Sequence, residues 1–513
     1  MIDSIKQDSL SETTNPEDYL QNFGLTSLFS YQRAIIEEIC VACGVPVTGA
    51  GSEAPSRGLI LLPTGAGKSI CYMLPALVIP GYSLIIYPLN ALISDQLQRF
   101  RKAGVRVFPL VGGTSKREKL AAISEAADGE VRVLLANPES ILDLDIQKAL
   151  RKSPPRHLVF DEAHTSAEWG LSFRPAYVEV CSFVRELDPR RVSAFTATAS
   201  PELLPQMAGL IFGNQGYSLY SRSPAKENIA FSAIPSISPE ADLVYLAESC
   251  LKTPMIIFCR RRRDAEDTAR LLASRSSDAA ERVKFYHAGL SKEEKQQVEN
   301  WFMQGGDLIL CATCAFGLGV DCAGIRSVVH RGLPPSVEAY VQESGRAGRD
   351  GKPCRAVVLF EPSDLAMKFE SSRDTRYGTL VKAFLSNKRC RRKSLMSLFS
   401  PHEEHAACGI CDVCTGSIEF IPRGSDEIVG LVREYSSMLS CKEVSDIVKG
   451  YRPEHLGGAA GRSSSFGILG TWDYNWCQEA VGSLLSCGAL YRKRLSRRLS
   501  AGPSRKNILK EMS

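Results

Sequence analysis

Leu59-Ile60-Leu61-Leu62-Pro63-Thr64-Gly65-Ala66-Gly67-Lys68-Ser69 is an apolar run that breaks into a glycine-rich turn and closes on a Lys-Ser pair. A short apolar run bounded by turn residues reads as a buried strand. The glycines that follow let backbone N–H groups close around phosphate oxygens, a lysine at 68 reaches the outer phosphates, and Ser69 offers its hydroxyl to Mg²⁺. Ile70-Cys71-Tyr72-Met73-Leu74 then opens a helix whose N-terminus faces the anion. Thr64, Gly65, Ala66, Gly67, Lys68 and Ser69 are therefore expected to hold a nucleoside triphosphate within an α/β fold. The strict form of this loop has Gly where Leu62 stands.

A phosphate cradle needs an acid to organise the metal and a group to activate water. His157-Leu158-Val159-Phe160 reads as a second buried strand and ends in Asp161-Glu162-Ala163-His164. In open α/β sheets the C-terminal ends of strands face the ligand crevice. Asp161 is expected to hold Mg²⁺ and Glu162 to orient or deprotonate the attacking water, since phosphoryl transfer is mostly positioning and charge stabilisation. Far down the chain, Gln342-Glu343-Ser344-Gly345-Arg346-Ala347-Gly348-Arg349-Asp350 carries two arginines three residues apart. That spacing places them on one helical face, and guanidinium suits the charge that develops on a transferred phosphoryl group. Their distance from Lys68 predicts a separate folded unit and an ATP site that opens and closes.

With 513 residues, 44% of them hydrophobic and 23% charged, the chain has ordinary globular composition and room for three or four domains. Ser83-Leu84-Ile85-Ile86-Tyr87, Val131-Arg132-Val133-Leu134-Leu135 and Val192-Ser193-Ala194-Phe195 extend the first set of strands. A second set follows in Met255-Ile256-Ile257-Phe258, Leu308-Ile309-Leu310-Cys311, Ser327-Val328-Val329-His330 and Ala356-Val357-Val358-Leu359-Phe360. Interleaved with amphipathic stretches, these runs predict two parallel sheets with crossover helices.

Seventeen cysteines raise the question of disulfides or metal. The chain opens Met1-Ile2-Asp3-Ser4, without the cationic and apolar regions of a secretory signal, and no run approaches the roughly 18 apolar residues of a membrane span. A reduced, cytoplasmic setting is expected, nucleoid-associated in a bacterium, with no membrane partner. There, clustered cysteines favour metal. Cys408-x-x-Cys411-x-x-Cys414 brings three thiolates over one turn, so a fourth ligand must come from elsewhere, with Cys390, His402 and His405 as candidates. Cysteines in apolar runs, such as Cys71, Cys311 and Cys314, read as core.

Taken together, these motifs resemble those of superfamily-two helicases, and more closely the RecQ family of DNA helicases. Ser166-Ala167-Glu168-Trp169-Gly170-Leu171-Ser172-Phe173-Arg174-Pro175 is similar to the aromatic-rich loop with which that family couples single-stranded DNA to ATP hydrolysis. The resemblance implies Trp169, Phe173 and Arg174 as coupling residues, and aromatics stack on unpaired bases whatever the sequence. Family members usually carry Gln where Glu168 stands and His where Leu171 stands. Thr196-Ala197-Thr198, Tyr286-His287-Ala288-Gly289-Leu290 and the run from Ala312 to Asp321 resemble motifs III, IV and V, implying that Gly317 and Asp321 link ATP to the second lobe. Leu28-Phe29-Ser30-Tyr31-Gln32 resembles the adenine-reading motif with Gln32 as base contact, one residue short of the usual spacing. Cys390 sits where the RecQ zinc subdomain places its first ligand, at the end of a helix. This implies a closed structural Zn²⁺ site of Cys390, Cys408, Cys411 and Cys414.

The likeness runs from Phe23 to Cys414 with motifs in family order. It implies two RecA-like lobes, 1–221 and 222–362, a helical zinc-binding subdomain, 363–417, a compact winged-helix domain, 418–500, and a basic tail, 501–513. Val444–Val448 and Trp476–Val481 would supply helices of the winged domain and Gly488–Tyr491 the start of its wing. The implied activity is ATP-dependent 3′ to 5′ DNA unwinding in repair and recombination, with ATP, Mg²⁺ and Zn²⁺. Its implied partners are single-stranded and branched or partly duplex DNA, alongside single-strand-binding or repair proteins. A net charge of +5 is too modest to predict nucleic acid by itself. Local clusters say more: Tyr491 to Arg498, Arg389 to Lys393 and Arg260 to Arg263 are candidate phosphate contacts. Rival readings are an RNA helicase, a translocase that does not unwind, and a DNA-binding scaffold whose motor has decayed.

Overall fold

The computed structural model describes residues 15–47, 51, 53–63, 65–165, 175–197, 203–222, 226–275, 277–316, 324–361, 364, 378, 381, 389–399, 406–417, 422–453, 462–493 and 498–502. The chain divides into two compact units, the first drawn chiefly from residues up to 224 and the second from 225 onward.

The first unit is built on seven strands: β1 (Arg57–Leu61), β2 (Ser83–Ile86), β3 (Val107–Leu110), β4 (Val133–Ala136), β5 (His157–Phe160), β6 (Arg191–Thr196) and β7 (Ser218–Ser221). They run parallel in the order β3-β4-β2-β5-β6-β1-β7. Strands in such a sheet are covered on both faces and so read as continuous apolar runs. Their side chains nonetheless alternate. Leu59, Leu84, Leu134, Leu158 and Phe160 pack with Tyr177, Val180 and Val184 of the helix Pro175–Leu187. Ile60, Ile85, Val133, Val159 and Phe195 pack on the opposite face with Ile35, Ile36 and Ile39 of the helix Ser30–Ala42.

A polar network fixes the N-terminal end of this sheet. The fully buried Arg191 pairs with Glu38 Oε1 at 2.8 Å and donates Nε–H to Ser193 Oγ at 3.1 Å. His157 Nε2 lies 3.0 Å from the same Ser193 hydroxyl, and Glu38 accepts from Ser218 at 2.5 Å and Tyr220 at 2.9 Å. Only glycine fits beside this guanidinium: a Cβ on Gly58 would stand 1.9 Å from Arg191 Nη2. Burial, with the charge of Arg191, pushes His157 down to about 3.

The second unit carries β8 (Ile229–Pro235), β9 (Met255–Cys259), β10 (Val283–Tyr286), β11 (Ile309–Ala312), β12 (Ser327–Arg331) and β13 (Cys354–Phe360). They are again parallel, in the order β10-β11-β9-β12-β13-β8. The two parallel sheets with crossover helices are therefore present. C-terminal to the second sheet stand the helices Ser425–Glu434, Cys441–Lys449 and Tyr474–Ser486, then an antiparallel pair, β14 (Leu490–Arg492) and β15 (Leu499–Ala501). Their apolar faces meet through Leu431, Val444, Ile447, Trp476, Val481 and Leu499, and this core is continuous with Ile234, Leu243, Ile257 and Val357 of the second lobe. Polar contacts follow the same seam. Ser238 Oγ donates to Glu479 at 3.0 Å, Arg423 pairs with the buried Asp242 at 3.3 Å, and the Arg423 guanidinium lies 3.8 Å above the Tyr245 ring. No helix among the described residues is long and apolar enough to cross a membrane.

Two expectations about local structure need correction. The helix Val337–Ser344 ends before Arg346, so Arg346 and Arg349 lie on consecutive turns and not on a helical face. Cys314, read as core, is exposed, whereas Cys71 and Cys311 are buried; Cys390 stands at the N-terminal end of the helix Arg391–Met396.

Candidate nucleotide and metal sites

The C-terminal ends of β1 and β5 bring the loop and the acids together. After Leu62 and Pro63 the backbone turns at Gly65 (φ 82°) and Gly67 (φ 72°), both in the left-handed region that glycine adopts at no steric cost. A Cβ on Gly67 would meet Gln32 Nε2 at 2.4 Å, so the loop and Gln32 are fitted to each other. Gln32 is buried, accepting from the Phe29 N–H at 2.9 Å and donating to the Ala66 carbonyl at 3.1 Å. The Tyr31 hydroxyl donates to the same carbonyl at 2.9 Å. Gln32 thus touches the loop backbone through one end of its amide. The chain then enters the short helix Ile70–Met73, with Lys68 and Ser69 at its mouth.

Lys68 Nζ pairs with Glu162 Oε1 at 3.0 Å, and both side chains are largely buried. Asp161 is 6% exposed; its Oδ2 accepts from the Tyr72 hydroxyl at 2.9 Å and its Oδ1 from the Glu162 N–H at 3.0 Å. Burial pushes Asp161 up to about 6, with Lys68 opposing and Glu162 adding to the rise. Glu162 has φ 49°, an uncommon conformation for a residue with a Cβ and one that clusters at functional sites. Neighbours hold it there: Thr165 Oγ1 donates to the Glu162 carbonyl at 2.9 Å and the Ala163 N–H to the Phe195 carbonyl at 2.8 Å. His164 Nδ1 lies 2.9 Å from Thr196 Oγ1, which ties the acidic box to the end of β6.

This set fits a nucleotide and its divalent metal. A loop closed by two left-handed glycines exposes backbone donors, a lysine supplies positive charge, and two carboxylates lie beside it. Sequence reasoning missed Tyr72 and Tyr87, whose hydroxyls lie 3.3 Å apart and reach Asp161 through Tyr72. Apolar-run reading had absorbed both into the core. It also assigned nothing to a cleft of about 340 Å³ beyond the ends of β3 and β4, lined by Gly112, Thr114, Lys116, Lys119, Asn137 and Ser140.

In the second unit the arginine-bearing turns are anchored from several sides. Lys226 Nζ donates to the carbonyls of Gly345 at 2.8 Å and Ala347 at 3.2 Å. Asn228 Nδ2 donates to Gly348 at 2.9 Å and Lys352 at 2.8 Å. Gly348, at φ 58°, has no room for a Cβ, which would fall 2.2 Å from Asn228 Nδ2. Beneath the turn the buried His330 Nε2 and Glu343 Oε2 lie 2.9 Å apart. Arg346 is 4% exposed.

Cys390, Cys408, Cys411 and Cys414 converge so that all four Sγ atoms lie within 4.8 Å of one another. Cys390 to Cys411 is 3.9 Å and Cys408 to Cys414 is 4.0 Å. Ligands 2.3 Å from a tetrahedral ion stand about 3.8 Å apart, so the group fits a metal. Burial pushes the Cys390 thiol up, but N–H donors from Lys393 and Cys408 outweigh it and bring Cys390 down to about 7. Beside it the buried Arg391 and Asp412 pair at 2.5 Å, and Asp412 Oδ2 accepts the Ala233 N–H of β8 at 3.1 Å. Among the described residues this is the one place where three or more His, Cys, Asp or Glu side chains converge closely enough to share an ion.

Comparison with known proteins agrees with this architecture. Residues 30–204 match the DEAD/DEAH box helicase family and residues 241–351 the helicase conserved C-terminal domain. The probable ATP-dependent DNA helicase RecS of Bacillus subtilis is 33% identical over 351 residues, covering 68% of this chain and 67% of that protein. The ATP-dependent DNA helicase RecQ of Pasteurella multocida is 30% identical over 366 residues, covering 69% of this chain and 57% of its own length. The chain belongs to the RecQ family of DNA helicases. Among solved structures, the Mycobacterium smegmatis helicase Lhr bound to ssDNA and AMP-PNP aligns with 98% of this chain and 62% of its own at a TM-score of 0.54. At 19% identity that likeness is one of fold.

For a RecQ-family chain, the described residues bring together Gln32, Gly65, Ala66, Gly67, Lys68, Ser69, Asp161 and Glu162 in the first unit. Arg346 and Arg349 lie in the second, with the four cysteines. Thr64, Trp169, Phe173, Arg174, Gly317 and Asp321 lie outside the described residues, as do Glu168, Leu171, His402 and His405.

Proposed function

We propose that this chain is an ATP-dependent DNA helicase that moves 3′ to 5′ along single-stranded DNA and unwinds branched or partly duplex DNA in repair and recombination. The observation that carries the reading is the Lys68–Glu162 pair at 3.0 Å with Asp161 beside it, under a loop closed by Gly65 and Gly67. The loop amides and Lys68 bind the phosphates of ATP, and Glu162 orients the attacking water. Ser69 and Asp161 hold Mg²⁺, which supplies charge neutralisation on the phosphate oxygens. Arg346 and Arg349, on their anchored turns, meet the charge of the transferred phosphoryl group. Gln32 reads the adenine, and Gly317 and Asp321 relay the state of the nucleotide.

Trp169, Phe173 and Arg174 carry the coupling to DNA. The cysteine cluster holds Zn²⁺ as a structural ion. The three helices with β14 and β15 form a winged-helix module over 418–500. RecQ relatives are named as DNA helicases, which favours DNA over RNA as the track.

Lys68→Ala or Glu162→Gln is expected to cut ATP hydrolysis by about 100-fold or more and abolish strand separation, while DNA binding in a filter or anisotropy assay persists. Unwinding that survives both substitutions overturns the reading. Hydrolysis stimulated by RNA but not by single-stranded DNA overturns the choice of track.

A further inference from the structure

We propose that Tyr72 is a positioning residue for the metal: its hydroxyl fixes the carboxylate of Asp161 so that the loop binds nucleotide with Mg²⁺. The proposal rests on the nucleotide reading of the loop given above and names a device inside it. Tyr72 is fully buried on the short helix that leaves the loop, three residues after Ser69, and its hydroxyl donates to Asp161 Oδ2 at 2.9 Å. Tyr87, also fully buried just beyond β2, places its hydroxyl 3.3 Å from that of Tyr72. A tyrosine has one proton to give. With Tyr72 donating to the carboxylate, Tyr87 donates to Tyr72, and the two form a directed chain that ends on Asp161.

The rest of the carboxylate is fixed as well, since Oδ1 accepts the Glu162 N–H at 3.0 Å. Each oxygen therefore has one assigned donor and keeps a lone pair. Edge-on packing sets the angle of the Tyr72 ring, with Phe195 of β6 at a centroid distance of 5.1 Å and an interplanar angle of 71°. The hydroxyl thus cannot swing away without disturbing the core. Partners that orient a metal-binding carboxylate typically change metal affinity 10- to 100-fold when removed.

The same chemistry recurs on the edge strand β7, where Tyr220 donates to Glu38 Oε2 at 2.9 Å. Tyr220→Phe is therefore a matched control: it loses a tyrosine–carboxylate bond that involves neither the loop nor Asp161. The test is binding of a fluorescent ATP analogue to the full chain, by anisotropy, in EDTA and across a Mg²⁺ titration. Tyr72→Phe is expected to leave affinity in EDTA unchanged and to raise the Mg²⁺ concentration for half-maximal effect by about 10-fold. Tyr87→Phe is expected to shift it in the same direction by less, and provides a second reading should Tyr72→Phe fold poorly. Tyr220→Phe is expected to leave it where it is in the wild type. An unshifted Mg²⁺ dependence in Tyr72→Phe, or an equal loss of affinity with and without Mg²⁺, overturns the positioning role. Wild-type protein that binds the analogue no better with Mg²⁺ than in EDTA overturns the reading of the loop itself.

Discussion

Individual side chains at the first sheet show how burial converts composition into pH dependence. His157 is held neutral by burial and by Arg191, well below its ordinary value of 6.5 and at about 3. In the unfolded chain the same imidazole takes a proton near its ordinary value, so acid favours unfolding. The stability that His157 contributes is whole above pH 6.5 and is lost as pH falls toward 3, at about 1.4 kcal/mol per pH unit. His157→Gln keeps a partner for Ser193 but cannot titrate. Urea denaturation between pH 7 and 5 is expected to show a shallower loss of stability in that variant, by about one proton. A slope equal to the wild type would show that His157 is not held neutral. Glu162 illustrates a different residue-scale effect: its left-handed backbone costs on the order of 1 kcal/mol, a cost tolerated where it aims the carboxylate at Lys68.

Among the elements, the cysteine turn depends most on a contact from outside itself. Cys408, Cys411 and Cys414 come from one short segment, while Cys390 arrives from the N-cap of the helix Arg391–Met396. The Arg391–Asp412 pair bolts that helix to the turn, and Asp412 bolts the turn to β8. Metal held by this cluster would stabilise the second unit, since a preformed site does not exist in the unfolded chain. Elemental analysis is expected to find one zinc per chain. Cys411→Ser is expected to lose it and to lower the thermal midpoint of the second unit, on the order of 10 °C, with nucleotide binding by the first unit retained. A metal-free variant that melts with the wild type would remove the structural role. The arginine turns make the complementary point, because Lys226 and Asn228, at the start of the unit, anchor residues more than a hundred positions later.

At the scale of the molecule, the C-terminal helices share one core with the second lobe instead of standing apart. Glu479 of the helix Tyr474–Ser486 sits in that seam against Ser238, Glu240 and Glu361, with Arg331 paired to Glu240. Burial first, and the neighbouring Glu240 second, push Glu479 up to about 8. The folded state therefore keeps a proton that the unfolded chain has shed. Stability from this group falls as pH rises from the ordinary glutamate range through about 8, and then levels. Glu479→Gln removes the titration. Its thermal midpoint relative to the wild type is expected to be higher at pH 8.5 than at pH 5, and an offset that does not change with pH would exclude Glu479 as the titrating group. The chain spans 57% of the length of its Pasteurella relative.

What the sequence determined by itself is what adjacency and periodicity carry. Leu59 to Ser69 joins a strand to a phosphate loop, His157 to His164 joins a strand to its acids, and the three-residue spacing of cysteines survives any fold. The central strands were legible because both their faces are buried. The edge strands were not: Pro109 interrupts β3 and argues against a strand there, and β7 alternates between partial and full exposure and forms no apolar run. Tertiary structure alone decided that Tyr72 meets Asp161, that the arginines sit on turns held by Lys226 and Asn228, and that the last three helices lie against the second lobe. Those contacts join residues far apart in the chain, and which distant partners meet is set by how whole faces pack and pair most of their buried polar groups.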